Sequence, residues 1–146
     1  AKKKARAGIS LSDIHESAVS ELTHGLHELR ILRGKPGDSI SSKAHTPFFP
    51  HRIGHWLGID VHDIGPLHQR NNGTNSTAWE RPLVSGVACT VEPGLYFHPD
   101  DERVPKRFRG IGVRLEDSVL ITENGADVLS ERVPLELSEI EELLGP

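Results

Sequence analysis

Two stretches of the chain carry apolar side chains at every second position, and each ends in a glutamate. Val87, Cys89 and Val91 share one side of the first, and Ile111, Val113 and Leu115 share one side of the second. A period of two predicts β-strands, each with one half-buried face. The same alternation turns Thr90 and Glu92, and likewise Arg114 and Glu116, to the other face. A carboxylate on the inner face of a sheet is costly unless it is paired or bound to a cation. Either that face meets water, or the two glutamates serve a site.

The rest of the pattern sets the fold class. Leu11, Ile14, Ala18, Leu22, Leu26, Leu29 and Leu32 recur at helical spacing, Ser10 and Asp13 form a capping box, and Gly34 with Lys35-Pro36-Gly37 supplies a stop. A single turn is expected over Ser39 to His45, ended by Pro47. Residues 65–82 are polar and turn-rich, the composition of an exposed loop. Val119 to Thr122 runs into Asn124-Gly125, a hairpin signal, and returns through Asp127 to Leu129. Ser138 to Leu144 has the spacing of a short closing helix. A helix, several strands and a helix predict an α+β domain with an antiparallel sheet, and 146 residues suit one domain or most of one.

Charge and composition exclude several partners. Seventeen basic against 21 acidic residues leave a formal charge of −4, without the basic field that grips nucleic acid or an anionic membrane. No apolar run approaches the ~18 residues of a membrane span. One cysteine cannot form an internal disulfide, so a reducing, cytoplasmic setting without a signal peptide is expected. The chain lacks methionine and opens with Ala1 and three lysines, which reads as a fragment with a solvated terminus.

His51-Arg52-Ile53-Gly54-His55-Trp56-Leu57-Gly58-Ile59-Asp60-Val61-His62 concentrates imidazoles and glycines. His51 and His55, four apart, fall on similar sides of a helix or strand, but the spacing matches neither a Cys/His zinc finger nor an HExxH helix. Metal binding and a hydrogen-bonded polar patch both stay open on spacing alone.

The run HRIGHWLGIDVHDIG, followed by TVEPGLYF at Thr90 to Phe97 and GIGVRLEDSVLIT at Gly110 to Thr122, resembles the catalytic domain of aminopeptidase P, the Xaa-Pro aminopeptidase group of the pita-bread metallopeptidases. The likeness extends from GISLSDIH at Gly8 to the closing VPLELSEIEELL. It implies a pita-bread fold, here partial, with a curved antiparallel sheet, helices outside it, and Glu92 and Glu116 on the concave face. It implies two divalent ions, manganese first with zinc or cobalt as substitutes, and His55, Glu92 and Glu116 among the ligands. Glu116 bridges the ions in this reading, Glu92 also shuttles a proton from the attacking water, His51 and His62 contact substrate and stabilise the tetrahedral intermediate, and Arg114 supports Glu116. The implied activity is release of an N-terminal residue that precedes proline.

The resemblance also implies two aspartate ligands on a hairpin ahead of the Leu11 helix, and residues 1–146 are expected to be the C-terminal portion of the domain without them. The isolated chain is then expected to turn over little substrate and to associate with a second copy or with the missing segment. Relatives more often place an aromatic near Pro66-Leu67-His68, which leaves substrate preference open. Two alternatives stand beside the peptidase: a non-catalytic pita-bread binding module, and a prolidase acting on Xaa-Pro dipeptides.

Overall fold

The computed structural model describes residues 1–65 and 77–145. Helix α1, Leu11–Glu28, starts at the predicted capping box: Ser10 Oγ accepts the Asp13 amide at 3.1 Å, and Asp13 Oδ2 accepts the Ser10 amide at 2.9 Å. It ends earlier than Gly34. Arg30 takes the left-handed conformation at φ 60°, Arg30 N–H bonds His27 O and Ile31 N–H bonds Leu26 O, both at 2.9 Å. This is a Schellman close with arginine where glycine is usual, and buried Ile31 supplies its apolar contact. Leu29 and Leu32 therefore lie past the helix.

Helix α2 is Pro36–Ser41 rather than a turn over 39–45, because Pro36 opens the helix at its first turn instead of only ending the one before. The polar stretch over 65–82 falls largely on residues 66–76, outside the described residues; beyond them Thr77 caps a short 3-10 turn, Ala78–Glu80.

Strands β1 (Ala88–Val91), β4 (Asp117–Ile121) and β5 (Ala126–Val128) form one antiparallel sheet in the order β1-β4-β5, while β2 (Gly94–Tyr96) and β3 (Gly112–Arg114) form a second antiparallel pair. The Asn124-Gly125 hairpin joins β4 to β5 as predicted. Helix α3, Leu137–Leu144, closes the described chain within one residue of its expected start. The α+β class and the antiparallel pairing agree with the sequence.

The core lies between α1 and the β1-β4 pair. Leu11, Ile14, Ala18 and Val19 from the helix join Cys89, Val91, Val119 and Ile121 from the strands in one buried cluster. Cys89 is a small buried hydrophobe, and burial pushes its thiol up to about 11. The expectation for β3 fails: Ile111, Val113 and Leu115 are 45%, 54% and 44% exposed, since only β2 pairs with this strand and nothing described covers its face. The lysine terminus is also less free than its composition implies. Lys2 Nζ bonds Asp117 Oδ2 at 2.6 Å, tying the first turn to β4.

Candidate metal centre

Register brings the two glutamates together. Val91 pairs with Asp117 at one end of the β1-β4 ladder, and Gly94 pairs with Arg114 in the β2-β3 ladder. Glu92 and Glu116 occupy the paired junctions where the chain passes from one sheet to the other. They sit across from each other because both crossings occur at the same level. The core side of β1 carries Cys89 and Val91, so alternation turns Thr90 and Glu92 away from α1, as predicted.

A further strand-like segment delivers His55. Glu92 N–H bonds Ile53 O at 2.6 Å, Thr90 N–H bonds His55 O at 2.9 Å, and Leu57 N–H bonds Ala88 O at 3.0 Å. Residues 53–57 thus run antiparallel along the free edge of β1. Gly54 makes the approach possible, because a Cβ there would lie 2.7 Å from the Thr90 carbonyl carbon and closer still to its oxygen.

One ligand atom from each of His55, Glu92 and Glu116 lies within 4.8 Å of the other two. Nδ1 of His55 is 3.0 Å from the Trp56 carbonyl, which only accepts, so Nδ1 donates and Nε2 is the ring nitrogen left for another partner. Nε2 faces Glu92 Oε1 at 3.6 Å. A ring nitrogen and a carboxylate oxygen so directed take a proton or a cation between them. The donor set, one imidazole and two carboxylates, with His55 and Glu92 partly buried and Glu116 exposed, fits a borderline divalent ion.

The remaining predicted residues surround this cluster. Arg114 Nε lies 3.7 Å from Glu92 Oε2 and 3.6 Å from Glu116 Oε2, close enough for charge pairing and too long for hydrogen bonds. The neighbouring Tyr96 hydroxyl, followed by Glu92 and Glu116, holds the Arg114 guanidinium above its usual range. His62 stacks on His55 with ring centroids 3.9 Å apart, brought there by the reversal between Trp56 and Asp63. His51 stands further off: its Nδ1 donates to Arg52 O at 2.7 Å, and its Nε2 accepts from the Tyr96 hydroxyl at 2.9 Å.

Tyr96 links His51 to Arg114 and was not singled out from the sequence. The signal was available, since Glu92, Gly94 and Tyr96 share one side at period two. Trp56 packs in the core. His45 is 8% exposed, and burial lowers its pKa. It lines a cavity of about 640 Å³ with His15, Val19 and Phe49, which shares only His51 with the surroundings of the carboxylates. No helix among the described residues is long and apolar enough to cross a membrane.

Known proteins resemble the chain in sequence and fold. The chain is 42% identical to the Xaa-Pro aminopeptidase of Escherichia coli over 139 residues, 95% of this chain and 30% of that protein. Two solved structures of the E. coli aminopeptidase P superpose closely: one with the inhibitor Pro-Leu at TM-score 0.86 and 41% identity, covering 98% of this chain and 30% of the other, and a zinc-substituted one in complex with product at 0.85 and 42%, covering 97% and 30%. This likeness identifies the two antiparallel sheets and their helices as pita-bread architecture. The chain spans about 30% of the length of these relatives. With the profile of that family matching residues 1–123 as well, the chain belongs to metallopeptidase family M24.

Proposed function

We propose that His55, Glu92 and Glu116 hold divalent metal, manganese by preference, in an aminopeptidase that releases an N-terminal residue preceding proline. The observation that carries this reading is His55 Nε2 facing Glu92 Oε1 at 3.6 Å with Glu116 within reach of both. A binding module has no use for an imidazole and two carboxylates converging on a sheet face. A bound divalent ion supplies Lewis acidity, polarising the scissile carbonyl and lowering the pKa of water.

The protein's own groups do the rest. Glu92, with one carboxylate oxygen facing His55 and the other facing Arg114, takes the proton of the attacking water and returns it to the leaving nitrogen. Arg114 offsets part of the charge of Glu92 and Glu116. His62, exposed and stacked on His55, reaches substrate from one side. Tyr96 and His51 form a wall on the other. Selection of proline by shape follows from its tertiary amide, which has no N–H to satisfy.

Residues 1–146 are, in this proposal, the C-terminal portion of one pita-bread catalytic domain, and the two-ion site is completed by aspartates outside them. The E. coli enzyme with bound Pro-Leu supports the substrate class, and the zinc-substituted one supports a site that accepts more than one metal. The exposed Ile111, Val113 and Leu115 face is the surface for association with a second copy or with the rest of the domain, in the cytoplasm.

Calorimetric titration with Mn²⁺ tests the site. The chain is expected to bind weakly, and His55→Ala or Glu116→Gln to abolish the heat of binding. Unchanged binding in both variants would falsify the assignment. Assays with the full-length enzyme on Xaa-Pro-Xaa and Xaa-Pro peptides separate an aminopeptidase, which cleaves the longer peptide, from a prolidase, which cleaves only the dipeptide.

A further inference from the structure

One buried group beside the cluster has no part in the reading above: the Thr90 hydroxyl. Thr90 is 1% exposed. Its Oγ1 accepts the His55 backbone N–H at 2.9 Å and lies 3.1 Å from Glu92 Oε1. An amide nitrogen can only donate, so the single proton of the hydroxyl is left for the carboxylate. Among the described residues this is the one hydrogen bond to the Glu92 side chain, because Arg114 and His55 stand beyond hydrogen-bond range at 3.7 and 3.6 Å.

We infer that Thr90 is a positioning residue of the metal centre, whose hydroxyl turns Glu92 Oε1 toward His55 Nε2 and fixes the spacing of these two donors before an ion arrives. The inference rests on the metal-site reading. The strand ladder by itself sets only the backbones of residues 53–55 and 90–92, and a glutamate keeps several rotatable bonds beyond its Cα. Threonine is stiff at χ1, so a hydroxyl anchored on the His55 amide is a fixed point from which to hold the carboxylate. One oxygen thereby ties the main chain of one donor to the side chain of the other.

The test is Mn²⁺ titration of the chain by calorimetry, alongside thermal unfolding without metal, for wild type, Thr90→Val and Thr90→Ser. Valine keeps the shape and removes the hydroxyl; serine keeps the hydroxyl. Valine is expected to weaken binding by about 10–100-fold, the range for groups that orient a metal ligand, while serine stays within about threefold of wild type. Wild-type-like binding by a folded Thr90→Val protein overturns the inference and leaves the metal site standing; no binding by wild type overturns both. Equal weakening by serine and valine also overturns it, since a packing role does not distinguish a hydroxyl from a methyl. Should Thr90→Val not fold, nuclear magnetic resonance of the wild type with Zn²⁺ decides. A slowly exchanging Thr90 hydroxyl proton in both metal-free and Zn²⁺-bound protein supports the inference, and loss of that signal on binding overturns it.

Discussion

Replacing Gly54 by alanine should damage stability and the metal centre together. The new Cβ would lie 2.7 Å from the Thr90 carbonyl carbon. Carbon atoms are comfortable at about 3.5–4.0 Å, so the 53–55 segment must retreat from β1 by about 1 Å. Its bonds have little slack: Glu92 N–H to Ile53 O is 2.6 Å, and Thr90 N–H to His55 O is 2.9 Å. A retreat of that size takes both to or beyond the limit of a hydrogen bond. Losing two such bonds costs about 1–3 kcal/mol, and crowding a packed interior adds about 1–3 kcal/mol. A total of about 2–6 kcal/mol lowers the melting temperature of a chain this size by about 5–20 °C. Gly37→Ala is the control, because a Cβ there meets nothing within 4 Å and the position lies inside α2, where alanine is expected to be neutral or stabilising. Circular dichroism melting reads both variants, and Mn²⁺ calorimetry at a temperature where Gly54→Ala is folded reads the displaced His55. A melting temperature for Gly54→Ala within about 2 °C of wild type, on the same scale, refutes the argument that this glycine sets the approach of His55 to Glu92.

Three other outcomes follow from the same structure. Cys89 should stay unreactive to Ellman's reagent at pH 8 in the folded protein and react fully in denaturant, because burial holds its thiol near 11; rapid native labelling would contradict its burial. Burial raises the Asp117 pKa, but hydrogen bonds from Lys2 and Ser130 outweigh that and hold it below the ordinary 3.8. Its stabilising contribution is therefore present above about pH 4 and lost as pH falls through the folded value, and Lys2→Met should move the acid-unfolding midpoint to higher pH. In the full-length enzyme, Glu92→Gln should lower kcat on an Xaa-Pro-Xaa peptide by at least about 100-fold, since an amide cannot accept the water's proton.

What the sequence disclosed follows from where local signals met no competitor. The capping box at Ser10, the Asn124-Gly125 hairpin and the alternation over 87–92 each specify geometry within a few residues, and each is found in the structure. The end of α1 was hidden because arginine, not glycine, takes the left-handed position there, stabilised by bonds to carbonyls one turn back. Pro36 carried two meanings, stop and start, and in the structure it opens α2 at the first turn. The apolar side of β3 predicted burial that nothing described provides, because periodicity reports which residues share a face and not what covers it. At the site, alternation found Glu92 and Glu116 and put Thr90 on the face of Glu92, but the roles of Thr90 and Tyr96 were not legible, since they come from hydrogen bonds to partners 35 and 45 positions away.

Arg114 shows how the centre is balanced. Glu92 and Glu116 bring two carboxylates within a few ångströms of each other, and the guanidinium beside them offsets part of their charge. Both contacts exceed hydrogen-bond length and the Arg114 side chain is half exposed, so an arriving ion meets little resistance from them. A fixed positive charge at the same place repels that ion all the same. Arg114→Met should therefore tighten Mn²⁺ binding severalfold at low ionic strength, and the gain should shrink as salt approaches 1 M, where screening acts within about 3 Å. In the full-length enzyme the same variant should lose activity despite better binding, since Tyr96 would lose the cation that anchors its hydroxyl beside His51. Calorimetry across a salt series reads the first effect and peptide hydrolysis the second. If Arg114→Met binds Mn²⁺ more weakly than wild type at low salt, Arg114 is holding the carboxylates in place more than it is opposing the ion, and the charge argument fails.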